Sequence, residues 1–117
     1  MLRYFWDAAI ELDNNARKFD EGSRFPLCKQ GNLEFLFRRI GFKQIESAPI
    51  DIKTIFHTFD DYWQPFLCRV GPAPAYVMSL DYENQEKLKT LLLRKLPIRN
   101  DGSILLSARA WAVKCTV

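Results

Sequence analysis

"SILLSARAWAVKCTV", residues 103–117, decides how this chain reads, because it is apolar on both faces of a strand. At period two, Ile104, Leu106, Ala108, Ala110 and Ala112 fall on one side. Leu105, Trp111 and Val113 fall on the other, with Ser107 and Arg109. A strand of this kind normally lies inside a sheet and is covered on both faces. It then needs a neighbour on each edge. One other strand is legible: "KQIESAPIDIKTIF", residues 43–56, with Ala48, Ile50, Ile52, Thr54 and Phe56 on one face. Pro49 cannot donate a ladder hydrogen bond, so this second strand belongs at an edge or carries a bulge. The expected sheet is an antiparallel pair, about 43–56 and 103–114. It has the composition of part of a larger sheet.

Helical signals fill the rest. Leu2, Phe5, Trp6, Ala9 and Ile10 mark one face of a helix over 2–12. It begins at the first residue with no cap, where four N–H groups have no helical partner. Residues 13–31 are polar and irregular, with room for a helical turn at Asn14–Phe19. In "NLEFLFRRIGF", Asn32 is the expected N-cap, and Leu33, Leu36, Phe37 and Ile40 form the apolar face. Gly41 stands where a left-handed residue is needed, and Phe42 can make the closing contact. "DDYWQPFL" predicts a short helix that stops or restarts at Pro65, and "GPAPA", 71–75, reads as a break. Asp81 caps a helix over Tyr82–Leu96 with Leu88, Leu91, Leu92 and Leu96 as its stripe. Pro97 ends it, and "RNDGS" is a turn. The class is α+β, with the helices packed on one face of the strand pair and residues 1–117 forming a single domain.

The totals narrow the function. A chain of 117 residues suits one small domain and buries roughly two-thirds of its unfolded surface. Net charge is +3, and its 17 basic residues are dispersed, so no basic stripe for nucleic acid is expected. Cys28, Cys68 and Cys115 stand far apart with neither C-x-x-C nor metal spacing. An odd cysteine count behind an opening, "MLRYFWDAA", unlike a signal peptide predicts reduced thiols in the cytoplasm. No apolar run reaches the ~18 residues of a membrane span.

Residues 50–81 read as the wall of a pocket, with Tyr62, Trp63, Phe66 and Tyr76 as candidate lining. The same four residues serve equally well as a small core. His57, the one histidine, is a candidate substrate contact or general base, weighed against a plain surface histidine with no titratable partner. Asp60 and Asp61 are adjacent, and neighbours on a helix point apart. The better reading makes Asp60 the cap of the short helix.

Several stretches together carry a resemblance: "YFWDAAIELD" (4–13), "DEGSRFPLC" (20–28), "LEFLFRRIGF" (33–42), "FDDYWQPFL" (59–67), "GPAPAYVMSLD" (71–81) and "LPIRNDGSILLSARAWAVK" (96–114). In this order they resemble the C-terminal part of a class I S-adenosylmethionine-dependent methyltransferase of the small-molecule type. The resemblance implies a Rossmann-like sheet ending in an antiparallel hairpin. Residues 43–56 match its sixth strand and 103–114 its seventh, with 59–96 a lid-like helical insertion on the acceptor side. It also brings the loop of Arg24 and Phe25 near the cofactor and acceptor side, where Arg24 is weighed between pairing with a substrate carboxylate and a solvated surface role. The chain departs from the family at the cofactor. None of its five glycines stand close enough for the Gly-rich turn, and the first five strands have no counterpart.

The expectation is therefore an acceptor-side part that is inactive as an isolated chain. It binds no cofactor by itself and no metal, and S-adenosylmethionine is implied only for a complete enzyme. The start at Met1 fits a split, truncated or internally initiated product. The alternatives are a module that pairs through the exposed edge of its last strand, and a small-ligand binder that uses the aromatic pocket. The expected partners are a second copy or a separately encoded N-terminal half, together with a small-molecule acceptor.

Overall fold

A computed structural model describes residues Met1–Thr116. The architecture is α+β. Among the described residues the six α-helices are α1 (Leu2–Leu12), α2 (Glu21–Arg24), α3 (Asn32–Arg39), α4 (Phe59–Trp63), α5 (Pro72–Ser79) and α6 (Tyr82–Lys95). The two strands are β1 (Lys43–Phe56) and β2 (Ile104–Thr116), and 3-10 turns occupy Asn14–Lys18, Pro26–Cys28 and Gln64–Leu67. The chain divides into two compact units. One comprises Met1–Asp20 with Lys53–Leu106; the other comprises Glu21–Ile52 with the residues from Ser107 on.

The first unit holds the hydrophobic core. α1 buries Phe5, Trp6, Ala8 and Ala9, while Leu2 is exposed and Ile10 half-buried. The expected stripe is thus rotated by part of a turn, bringing Ala8 in and leaving Leu2 out. The leucine stripe of α6 is buried as the period predicts. Phe5 stacks on Phe66 with centroids 4.4 Å apart and planes 12° apart, and meets Trp6 edge-on at 5.0 Å. Such pairs add about 0.5–1.5 kcal/mol beyond area burial. Residues 59–96, expected as a lid-like insertion, supply most of this core.

Two local readings are corrected here. α4 is capped by Thr58, not Asp60: the Thr58 hydroxyl accepts the Asp61 N–H at 3.1 Å. The Asp61 carboxylate in turn accepts the His57 and Thr58 N–H groups, each at 3.1 Å. This is a capping box, in which position three after the cap outranks position two. "GPAPA" does not break the chain; it starts α5. Gly71, at φ +97, turns the backbone, and Pro72 and Pro74 fall in the first turn. The first four N–H groups of any helix lack helical partners, so prolines there remove nothing the helix uses. α6 then begins at Asp81, which accepts the Asn84 N–H at 2.8 Å. The Gln85 amide donates to the carbonyls of Val77 and Leu80 at the end of α5, each at 3.1 Å.

In the second unit, the start of α3 is also corrected. Gly31, at φ +82, holds the cap position, and Asn32 is the first helical residue, its side chain donating to the Pro26 carbonyl at 2.7 Å. The other end follows the sequence expectation. Gly41, at φ +95, donates to Arg38 at 3.1 Å, Phe42 donates to Phe37 at 3.2 Å, and the two phenyl rings meet at 5.3 Å. That is a Schellman cap with its hydrophobic contact. No α3 residue is fully buried.

β1 and β2 form a two-stranded sheet. From Lys43 with Thr116 to Asp51 with Arg109, one partner rises in number as the other falls, so the pairing is antiparallel. Tight turning at Arg99–Ser103 leads into β2: Asp101 accepts from the Ser103 N–H at 2.9 Å and its hydroxyl at 2.6 Å. The Arg109 guanidinium grips Asp51 with two 2.7 Å bonds and lies 5.6 Å from the Trp111 ring centroid.

Candidate functional site

The sheet leaves much of its apolar surface uncovered. Ile104 and Leu106 are buried, but Ser107–Ala110 are exposed and Trp111–Val113 half-buried. On β1 the face expected to be buried is covered only at its end. Thr54 and Phe56 are half-buried, whereas Ile50 and Ile52 are 52% and 63% exposed. β2 was read as an interior strand. Among the described residues it has one neighbour, so its apolar pattern is present without the cover that pattern anticipates. The two edges differ. β1 is interrupted by Pro49 and by Gln44 at φ +48, both of which spoil a regular edge. β2 carries neither a proline nor a positive φ among its described residues. It is a 13-residue strand open to pairing.

The sequence-predicted site residues separate into two groups. His57, Tyr62, Trp63, Phe66 and Tyr76 belong to the first unit, and Arg24 and Phe25 to the second. Tyr62, Trp63 and Phe66 are buried against Phe5, Phe56 and Phe59, so their rings are core rather than the lining of an open cleft. Tyr62 donates its hydroxyl to the Met1 carbonyl at 3.2 Å, and burial pushes its phenol well above the ordinary tyrosine value. His57 is exposed, and its N–H serves the α4 cap. Arg24 lies 5.9 Å from the ring centroid of exposed Phe25, a local cation–π contact.

Tyr76 is the predicted residue that does line a cavity. A recess of about 200 Å³ is bounded by Leu12, Asp13, Tyr76, Leu80, Asn84 and Leu88, all in the first unit. Burial, and secondarily the Asp13 charge, raise the Tyr76 phenol above its ordinary value. Asp13 and Asn84 carry no signal of this role in the sequence. One follows the end of a helix and the other lies in a first turn, and only folding brings them to Tyr76. A wider polar cleft of about 570 Å³ runs along α1. Most of its charges are paired: Arg3 with Asp7 at 2.8 Å and with Asp20 at 2.9 Å, and Lys95 with Glu11 at 2.6 Å, while Arg17 donates to the Asn14 side chain at 2.7 Å. Among the described residues no group of histidine, cysteine and carboxylate side chains could hold a metal ion. No described helix is long and apolar enough to cross a membrane. No family model, curated protein or solved structure matches the chain.

Proposed function

We propose that this chain is the acceptor-side C-terminal part of a class I S-adenosylmethionine-dependent methyltransferase-like fold, and that it acts only when another strand completes its sheet. One observation carries the reading: a two-stranded antiparallel sheet whose second strand is apolar on both faces, open along one edge and exposed at Ser107–Ala110. The order supports it too, since a Pro-containing strand, a helical stretch and a long last strand follow one another as the resemblance requires. Methyl transfer is an in-line displacement at the methyl carbon of a sulfonium donor. Alignment of donor and acceptor supplies much of the rate. This chain has no Gly-rich turn to hold that donor, so donor binding falls to the partner that pairs with β2. That partner is a separately encoded N-terminal half, in the cytoplasm where the cysteines stay reduced.

Self-pairing is the second reading, favoured by the regular, unblunted edge of β2, which suits a two-fold continuous sheet. Two measurements separate them. Calorimetric titration of the isolated chain with S-adenosylmethionine is expected to show no heat of binding, and tight binding overturns the fragment reading. Light scattering after size exclusion gives a monomer under the first reading and a dimer, with slowed amide exchange at 107–116, under the second.

A further inference from the structure

The recess at Tyr76 has a chemistry of its own. Its floor is Leu88, fully buried, and Tyr76, nearly so; Leu12 and Asn84 form its exposed rim. Asp13 is the one charged residue lining it. One Asp13 oxygen accepts the Asn15 N–H at 2.9 Å, and the described residues offer the carboxylate no salt bridge. Among the described residues the Tyr76 hydroxyl and the Asn84 side-chain amide have no hydrogen-bond partner either, so three polar groups border one apolar recess.

The backbone acts in both senses there. Asp13 is the C-cap of α1, where the last carbonyls concentrate partial negative charge, and it is also the N-cap of the Asn14–Lys18 turn, whose Asn15 N–H it accepts. Asp81 caps α6 beside Asn84, at a helix N-terminus that suits its charge.

We propose that this recess is a binding site for a small organic cation: a primary ammonium carried on a short branched alkyl group. The ammonium donates to the free Asp13 oxygen, the Tyr76 hydroxyl and the Asn84 carbonyl oxygen. The alkyl group displaces water from Leu12, Leu80 and Leu88. The size follows from the volume. Water occupies about 30 Å³ per molecule in the liquid, so a recess of about 200 Å³ holds a ligand of about six or seven non-hydrogen atoms. The site lies wholly within the first unit and involves no methyl donor. Failure here leaves the methyltransferase reading standing, and failure there leaves this site standing.

The test is a titration of the full ¹⁵N-labelled chain with isoamylammonium chloride, followed by amide chemical shifts, with isoamyl alcohol as the neutral match. Saturable shifts at Asp13, Tyr76 and Asn84 are expected, with a dissociation constant on the order of 1 mM or tighter. The alcohol should bind at least about tenfold more weakly, since it lacks the charge-assisted bonds. Asp13→Asn preserves the side-chain acceptor for Asn15 and should weaken the amine about tenfold. Tyr76→Phe keeps the ring in the core and should weaken it severalfold, which tests the site even if the Asp13 variant disturbs the end of α1. Absence of saturation at ~20 mM, equal binding of amine and alcohol, or amine binding that neither variant weakens overturns the proposal.

Discussion

α1 and α3 carry much the same sequence signal and meet different fates. Each places large apolar residues on one helical stripe, Phe5, Trp6 and Ala9 in the first and Leu33, Leu36 and Phe37 in the second. α1 buries Phe5, Trp6 and Ala9 against an aromatic cluster and the leucines of α6, leaving only the stripe's ends, Leu2 and Ile10, exposed or half-buried. α3 buries nothing fully, and Phe35 on its flank is 61% exposed. Neither helix is better formed than the other; α3 even has the better C-cap. What differs is the opposite surface. Amphipathic periodicity states which face would gain from burial, while the supply of matching apolar area comes from other elements. The strands repeat the lesson along their own length, from buried Ile104 to exposed Ile50 and Ile52.

Deleting one ring from each side is the largest way to break this comparison. Phe66→Ala removes a side chain that is 1% exposed and stacked on Phe5. It should cost about 3–5 kcal/mol, a large part of a domain's ~5–15 kcal/mol. Phe35→Ala should fall within about 0.5 kcal/mol of the parent. Urea unfolding followed by tryptophan fluorescence measures both, and equal losses would show that the two helices are not distinguished by burial after all.

A smaller effect comes from pH. Tyr62 is buried and its phenol is raised, so the folded chain keeps a proton that the unfolded chain releases. A raised value gives stability that is complete below the unfolded phenol pKa of about 10 and lost as pH climbs above it. Stability should fall by about 1.4 kcal/mol per pH unit there, and Tyr62→Phe should remove one proton's worth of that slope. An unchanged slope in the variant would mean that Tyr62 is accessible to solvent.

The smallest effect is expected at the exposed outer sheet. The Arg109 hydrogen bonds hold the Asp51 carboxyl below its ordinary range. A depressed value means that the contribution is present at neutral pH and lost as pH falls through the folded-state value. Asp51→Asn should change stability least of the three. Its difference from the parent should shrink in high salt and fade as pH falls below the ordinary carboxylate range. A difference that persists under both conditions would point to packing rather than charge.

Much of the local structure was legible in the sequence. β1 runs from Lys43 to Phe56 as its alternation predicts, and α1 and α6 lie where their stripes place them. Gly41 takes the left-handed conformation its position demands. The misreadings were about choice among neighbours. Asn32 and Asp60 are good capping residues in type, yet Gly31 and Thr58 hold the positions. "GPAPA" looked like a break because proline stops a helix interior, whereas in a first turn it fits. The candidate site was less legible. Tyr76 was named for its ring, but Asp13 and Asn84 were not, and the Asp51–Arg109 grip joins residues 58 apart in sequence.

By itself, then, the sequence determined where elements begin and end and which side of each wants cover, because backbone periodicity, caps and turn chemistry act over a few residues. It also showed that the last strand is apolar on both faces. Only the tertiary structure decided which apolar faces found cover, that Tyr62, Trp63, Phe66 and Tyr76 turn inward to the core or to the recess at Tyr76, and that Asp13 borders that recess without an ion-pair partner among the described residues. Those outcomes depend on which distant surfaces meet, and burial and charge pairing are properties of the meeting rather than of either stretch alone.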